Sequence, residues 1–167
     1  METEINKRII VVTGTPGVGK TSASRLLASE LSAIFVSLGE LVEKEKLYSR
    51  IDRKRGSVIA NTSSVSKRIQ EMTSSSKQDI IIEGHFAVGI VPKSIVHLVF
   101  VLRRNPEELK TVMESRGFKG DRLWENLAAE ILDVCLCDAV SLYGDGKVCE
   151  VDVTGRSVEE VVKDMVS

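Results

Sequence analysis

The sequence predicts a single α/β domain with a mostly parallel sheet. Strand and helix patterns alternate along the 167 residues, five short apolar runs have the length of strands, and a glycine-rich turn separates the first strand from the first helix. A chain of this length can bury one core. Because no internal repeat or linker composition interrupts the pattern, we treat residues 1–167 as one domain.

Each element follows from local patterning. The run at residues 80–82 is Ile-Ile-Ile, which predicts a central strand covered on both faces. Residues 49–56 are polar and basic, and we predict a loop there. The other predicted strands are residues 9–12, 34–36, 95–102 and 147–153. The predicted helices are residues 22–31, one that starts at 37, 57–72, 105–115, 121–143 and 157–166.

Local signals mark several helix ends. Ser37 followed by Glu40 matches a capping box, and Asn105 precedes a proline at the first helical position. The polar run at residues 73–76 predicts a helix break, and the Arg-Gly-Phe sequence at 116–118 predicts another.

Residues 14–21 read Gly-Thr-Pro-Gly-Val-Gly-Lys-Thr, which matches the phosphate-binding loop pattern G-x-x-x-x-G-K-T. The glycines let backbone amides approach phosphate oxygens, and the following helix N-terminus adds partial positive charge. We expect Lys20 to reach the β- and γ-phosphates of ATP and the Thr21 hydroxyl to ligate Mg²⁺. The expected phosphate-binding residues are Thr15, Gly17, Val18, Gly19, Lys20, Thr21 and Ser22.

Residues that directly follow the predicted strands are the next candidates, because open parallel sheets bind ligands beyond the carboxyl ends of their strands. Ser37 and Gly39 follow the second strand. Glu83 follows the third, where a P-loop enzyme places an acid that holds Mg²⁺ through water, although a solvated acid is the alternative. His85 could orient an attacking group or bind a substrate phosphate, and the alternative is an ordinary loop histidine.

Arginines supply the remaining candidates. Arg103 and Arg104 end the fourth strand, and since neighbouring strand residues face opposite ways, we expect Arg103 alone to point into the cleft. Arg116, with Lys119 and Arg122 beyond it, stands at the predicted helix break. Phosphoryl transfer needs cations around the migrating group and exclusion of water, so we predict a short closing segment there. The alternative for Arg116 is a cation that suits a helix C-terminus.

A basic stretch lies between the second and third sheet strands. Arg50, Arg53, Lys54 and Arg55 surround a single acid, Asp52. The stretch could admit a phosphate-bearing acceptor, touch RNA, or form a solvated loop. No aromatic residue interleaves it, so a surface that stacks on nucleic-acid bases is not indicated.

Bulk composition limits the possible partners. The net charge is −1 and the hydrophobic fraction 43%, so no global field favours nucleic acid or a membrane surface. No apolar run reaches membrane-spanning length, and the first residues lack a secretory pattern. Three cysteines do not form a disulfide framework, which favours reduced thiols in the cytoplasm. Nothing in the sequence demands more than a monomer.

Taken together, these segments resemble the nucleoside monophosphate kinases and, more narrowly, the adenylate kinase isoenzyme 6 family. The similar segments cover nearly the whole chain: residues 13–21, 36–41, 83–85, 99–103, 115–118 and 125–131. The resemblance implies a single three-layer domain with a five-stranded parallel sheet. It also implies a monophosphate-binding segment at about 37–60 and a lid at about 115–125 that places Arg116 on the ATP phosphates.

The resemblance further implies ATP as phosphoryl donor, Mg²⁺, and transfer to AMP or a related nucleoside monophosphate. On this interpretation Lys20, Glu83, His85, Arg103 and Arg116 are catalytic, and the acceptor-binding residues are Ser37, Gly39, His85 and Arg103. The family commonly has Asp-Tyr-His where this chain has Glu-Gly-His at 83–85, and an acidic segment where this chain is basic after residue 48.

Two other functions stay open from the sequence. The resemblance also implies an ATP-hydrolysing factor that binds a ribosomal protein of the small-subunit platform and assists subunit maturation, with the P-loop acting as a switch. A kinase of a small metabolite such as a sugar or hydroxy acid is a further alternative.

Overall fold

The centre of the fold is a five-stranded parallel sheet. The computed structural model describes residues 7–52 and 57–167. The strands are β1 (Ile9–Thr13), β2 (Ile34–Ser37), β3 (Tyr48–Asp52), β4 (Ser57–Ala60), β5 (Ile80–Glu83), β6 (Leu98–Arg103) and β7 (Val148–Asp152). The sheet order is β2-β5-β1-β6-β7, with every pair parallel. Because the strands run the same way, their carboxyl ends meet at one edge of the sheet.

Helices cover both faces of this sheet. They are α1 (Lys20–Leu31), α2 (Leu38–Lys44), α3 (Thr62–Ser75), α4 (Pro106–Ser115), α5 (Gly120–Ile131), α6 (Val134–Tyr143) and α7 (Val158–Val166). Ile9 and Val11 of β1 pack with α2, α3 and α6, whereas Ile10 and Val12 pack with α1, α4, α5 and α7. This alternation gives two apolar cores and confirms the predicted three-layer α/β class.

Several local predictions are confirmed. Every residue of β5 is buried, as its uninterrupted apolar sequence predicts for a strand between two neighbours. The Ser37 side chain accepts a hydrogen bond from the Glu40 N–H at 3.4 Å, and α2 begins at the next residue. The Asn105 side chain accepts one from the Glu107 N–H at 2.9 Å at the start of α4.

The prediction of a loop over residues 49–56 is wrong for the residues that the structure describes. Tyr48–Asp52 and Ser57–Ala60 pair as an antiparallel hairpin, β3 and β4. The helix that we expected from residue 57 therefore starts at Thr62, where the Asn61 side chain accepts a hydrogen bond from the Ser64 N–H at 3.1 Å. A short run such as 57–60 fits a strand or a helix equally well, and pairing with β3 selects the strand. Arg53, Lys54 and Arg55 lie outside the described residues.

Two helix boundaries also differ from expectation. Helix α3 continues to Ser75 through the predicted break, with the hydroxyls of Thr73 and Ser75 each donating to the carbonyl three residues earlier. The helix predicted over 121–143 is divided into α5 and α6 at Asp133, which has a left-handed backbone with φ 56°. The Asp133 carboxylate accepts a hydrogen bond from Arg103 at 2.5 Å, so a tertiary contact stabilises the division.

Strand β6 starts three residues later than predicted. Its first residue is Leu98, and the preceding His97 accepts a hydrogen bond on Nδ1 from the Ile9 N–H at 3.0 Å. Residues 92–95 form a turn, closed by a bond from the Ile95 N–H to the Pro92 carbonyl. Across residues 7–52 and 57–167, none of the helices combines the length and apolarity needed to cross a bilayer.

Candidate functional site

Three residues of the loop between β1 and α1 have backbone angles that favour glycine. Gly14, Gly17 and Gly19 have φ values of 150°, 95° and 88°. A Cβ atom on Gly14 would lie 2.7 Å from the Leu102 carbonyl oxygen and 2.9 Å from Cγ2 of Val18. The loop therefore packs directly against the carboxyl end of β6, and this contact fixes where its amides point.

Gly14→Ala is expected to lower the free energy of unfolding by about 2–4 kcal/mol, because the added methyl group meets backbone that cannot move aside and the φ angle is unfavourable for alanine. Gly146→Ala is the matched control, since a Cβ there meets nothing within 4 Å and no positive φ is involved. Urea unfolding of both variants measures the difference. Equal stabilities would show that the loop does not depend on this contact.

The loop forms one wall of a cavity of about 240 Å³ at the carboxyl edge of the sheet. Residues from four parts of the chain line it: Pro16, Gly17, Gly19, Lys20, Thr21, Ser22, Ser37, Gly39, Glu83, Gly84, His85, Phe86 and Arg116. The cavity therefore combines the ends of β2 and β5, the start of α1 and the segment after α4.

Lys20 is buried at the floor of this cavity. It is 9% exposed, and its Nζ donates to the Thr15 carbonyl at 3.3 Å. Burial lowers the pKa of Lys20 to about 8, although the negative charge of Glu83 acts in the opposite direction. The protein thus holds an ammonium group that is poorly solvated and close to a carboxylate, which is the electrostatic setting of an anion site.

Two of the predicted side chains, Glu83 and His85, lie at the carboxyl end of β5. Glu83, its last residue, is 5% exposed and supplies the carboxylate that opposes the pKa shift of Lys20. Burial, together with the positive charge of Lys20, lowers the pKa of His85, so this imidazole is neutral at pH 7. The His85 ring meets Phe86 edge-on, with ring centroids 5.1 Å apart. The cavity therefore contains one buried acid and one neutral donor–acceptor ring.

The donor set of the cavity fits Mg²⁺. The Thr21 hydroxyl and the Glu83 carboxylate both line it, and both are oxygen donors of the kind that hard cations prefer. Among the described residues, no group of three or more His, Cys, Asp or Glu side chains could hold a metal alone.

Arg116 reaches the cavity from the C-cap of α4. Its N–H donates to the carbonyls of Val112 and Met113, and the Phe118 N–H donates to Met113 at 3.0 Å, so the chain turns sharply here. The positive charge of Arg116 also lowers the pKa of Lys20, which places the two cations within electrostatic reach of each other. Arg122 does not line the cavity; its guanidinium stacks over the Phe118 ring at 4.0 Å.

The structure does not bring Arg103 into this cavity, contrary to our expectation. Its guanidinium donates to Glu130 and Asp133, both at 2.5 Å, and lies 3.4 Å from Glu150. Glu130 is 3% exposed, so it needs this partner to offset the cost of burying a charge. Arg103 therefore joins β6 to the α5–α6 corner, and we leave it out of the proposed site.

The other predicted residues divide into two groups. Those around the cavity are Gly17, Gly19, Lys20, Thr21, Ser22, Ser37, Gly39, Glu83, His85 and Arg116. Thr15 and Val18 belong to the loop, but their side chains are buried, at 2% and 1% exposure, and they do not line the cavity. The prediction missed Pro16, Gly84 and Phe86, although each stands next to a residue that it included. It also missed Glu130, a single acid at the end of a helix, which no local pattern distinguishes from a solvated one.

Gly84 lies where two elements approach each other closely. A Cβ at this position would lie 3.1 Å from the Leu38 Cβ and 3.2 Å from its Cδ1. The glycine thus allows the start of α2 to pack closely on the end of β5. This contact brings Ser37 and Gly39 to the same cavity as Glu83 and His85.

Comparison with known proteins agrees with this geometry. A family model described as an AAA domain matches residues 10–133, most of the chain. A protein of Methanocaldococcus jannaschii named "Putative adenylate kinase" is 40% identical over 157 residues, which cover 94% of this chain and 83% of the relative. The chain belongs to this family of P-loop adenylate kinase relatives. A member from Methanosarcina acetivorans with the same name is 37% identical over 162 residues, with the same coverage of both chains.

Two solved structures of low sequence identity share the fold. A gluconokinase from Sinorhizobium meliloti superposes with a TM-score of 0.58 over 94% of this chain and 88% of its own, at 17% identity. A sugar kinase from a Janibacter species has a TM-score of 0.60 over 96% of this chain and 93% of its own, also at 17% identity. At this identity the likeness shows a common α/β architecture.

Proposed function

We propose that this protein is an ATP-dependent nucleoside monophosphate kinase, which transfers the γ-phosphoryl group of ATP to AMP or a related monophosphate and releases ADP and a nucleoside diphosphate. One observation carries the proposal: a single cavity combines P-loop amides, the Lys20 ammonium, the Arg116 guanidinium and the Glu83 carboxylate. The name of the closely similar relatives supports a nucleotide as acceptor.

The residues of the cavity have separate roles in this proposal. The P-loop amides and Lys20 hold the β- and γ-phosphates, and Arg116 approaches the transferred group. Thr21 and, through water, Glu83 would hold Mg²⁺, which when bound neutralises charge on the phosphate oxygens. Since phosphoryl transfer needs little covalent chemistry from a protein, positioning and charge neutralisation account for the rate.

The acceptor phosphate faces Ser37, Gly39 and His85. These residues line the same cavity as the P-loop, so an acceptor phosphate bound to them would lie close to the γ-phosphate of ATP. The lowered pKa of His85 favours its neutral form in the free protein, and a neutral imidazole can donate a hydrogen bond to an acceptor phosphate oxygen. The monophosphate-binding segment at about 37–60 and the lid at about 115–125 stay predictions under this proposal.

A coupled assay of ADP formation tests the function. The protein with magnesium and ATP is measured alone and then with AMP, CMP, GMP or UMP added. At least one monophosphate is expected to raise the rate well above the ATP-only rate, and chromatography should show the matching diphosphate. No stimulation by any of the four would contradict a monophosphate kinase, and a high ATP-only rate would favour an ATPase.

The affinity for ATP is expected to depend on pH through Lys20. Its pKa is about 8 in the free protein, and bound phosphates favour the charged form, so binding requires a proton above pH 8. The dissociation constant should stay flat between about pH 7 and 8 and then rise by up to about tenfold per unit. Calorimetry at about pH 8.5 in buffers of different ionisation enthalpy should detect proton uptake. A flat profile to about pH 9.5 would show that Lys20 is charged before ATP binds.

A second function deserves a test because of one surface feature. Ile131 and Leu132, at the end of α5, are 61% and 70% exposed, and Trp124 on the same helix is 58% exposed. Exposed apolar side chains on α5, the helix whose first residues belong to the proposed lid, favour a nucleotide-dependent partner, in line with the ribosome-assembly role that the family resemblance implies. Retention of a small-subunit ribosomal protein with ATP but not ADP would support this function. Retention that is absent with every nucleotide would exclude it.

A further inference from the structure

A second cavity, of about 640 Å³, lies beside the P-loop cavity. The two share His85 and Phe86 as lining residues, so these two side chains border both cavities. Ala60, Val88 and Ile90 contribute apolar surface to the second cavity. Its volume and partly apolar lining are those of a small-molecule site that encloses a flat ring system.

The charges of the two cavities have opposite signs. In the first cavity, Lys20 and Arg116 outnumber the single acid, Glu83. Asp138, an exposed residue, is the only acid among the described residues that line the second, and the lowered pKa of His85 favours its neutral form. A monophosphate is therefore attracted to the first cavity and repelled from the second. A nucleotide that occupies both must place its phosphate towards Lys20 and its base towards Asp138.

A buried hydroxyl in the second cavity lacks a partner. Thr13 is fully buried and lines the cavity, yet its Oγ1 has no hydrogen-bond partner in the described structure. Because this oxygen is not accessible to a water-sized molecule, it lies behind the cavity wall and does not by itself identify a ligand atom.

Helix α6 fixes the position of Asp138 relative to the P-loop. Cys135, one turn earlier on α6, lies with its Sγ 3.9 Å from Oγ1 of Thr15. Ala139, the next residue after Asp138, is fully buried in the core. The carboxylate is thus presented by a helix that is packed on both the core and the P-loop, rather than by a flexible loop.

We propose that the second cavity holds the nucleoside of the acceptor and that Asp138 is a specificity-determining residue, which accepts a hydrogen bond from an exocyclic amino group of the base. The inference rests on the proposed function and names its preferred acceptors. A carboxylate pairs with N–H donors and repels a carbonyl oxygen, so amino-bearing bases are favoured and uracil and hypoxanthine are disfavoured.

The test compares AMP with purine riboside 5′-monophosphate, which lacks only the exocyclic amino group. The wild type is expected to prefer AMP in kcat/KM by about ten- to a hundredfold. Asp138→Ala should reduce this ratio to within about threefold of one, mainly by loss of activity with AMP. Asp145→Ala is the matched control, because Asp145 is an exposed acid outside the cavity, and its ratio should equal the wild-type value.

Each result decides between the two proposals. Equal kcat/KM for both substrates in the wild type, or a ratio that Asp138→Ala leaves unchanged, would overturn the role of Asp138 and leave the kinase function intact. If neither substrate stimulates ADP formation, the kinase function fails, and calorimetric binding then tests the pocket. Tighter binding of AMP than of purine riboside 5′-monophosphate, lost in Asp138→Ala, would support the pocket; equal or undetectable binding would overturn it.

Discussion

Lys20→Ala is expected to lower kcat for phosphoryl transfer by about a thousandfold or more. The Lys20 ammonium is buried at the floor of the P-loop cavity, where a charge acts on the phosphates with little screening by water. The alanine variant also removes one of the two donors to the Thr15 carbonyl and leaves the Val18 N–H at 3.3 Å. Steady-state kinetics with ATP and the best acceptor measure the loss.

The folded state should survive this substitution. Burial disfavours the charged form of Lys20, as its lowered pKa of about 8 shows, so removal of the ammonium relieves a desolvation cost in the ligand-free protein. We expect an unfolding temperature equal to or above that of the wild type. Lys67→Ala, at an exposed position on α3, controls for loss of a positive charge and should retain full activity. A loss of less than about tenfold in Lys20→Ala would remove Lys20 from the site.

Arg116→Ala is expected to lower kcat by about a hundred- to a thousandfold while the dissociation constant for ATP changes by less than about threefold. The side chain is exposed at the C-cap of α4 and lines the same cavity as the P-loop residues. We therefore expect its guanidinium to stabilise the transition state, in which charge spreads over the migrating phosphoryl group, more than it stabilises bound ATP. Rapid-quench kinetics and calorimetry separate the chemical step from binding.

Two further variants make this result specific. Arg122→Ala removes an arginine six residues away that stacks on Phe118 and does not line the cavity, and it should cost less than about threefold in kcat. Arg116→Lys retains the charge but not the planar fork, so an intermediate loss is expected. If the Arg116→Ala loss appeared in ATP affinity with kcat unchanged, Arg116 would be a ground-state binding residue.

The P-loop and the order of the elements could be predicted because their signals are local. The G-x-x-x-x-G-K-T pattern at 14–21 places a buried strand before it and a helix after it, and β1 and α1 occupy those positions. The cap at Ser37 and the proline start of α4 depend on neighbouring residues alone. Because open parallel sheets bind ligands beyond the carboxyl ends of their strands, Glu83 and His85 could also be predicted to lie near the P-loop, and they line the same cavity.

Other features depended on partners far away in the sequence. The polar residues of β3 form a strand because they pair with β4, and Asp133 adopts a left-handed backbone beside a guanidinium thirty residues earlier. Arg103 was expected in the cleft, but it pairs with Glu130, a buried acid whose negative charge requires a counter-charge. The sequence showed that Arg103 ends a strand and could not show which acids surround it.

The residues alone predict a P-loop α/β protein with an anion site at the start of α1, because that prediction depends on eight consecutive positions. Folding decided which distant side chains complete the site: Arg116 enters the cavity, Arg103 turns to the α5–α6 corner, and Asp138 faces a second cavity beside it. The physical reason is that the type of most helices and strands depends on neighbouring residues. The placement of a charged side chain depends instead on which opposite charges the fold has buried near it.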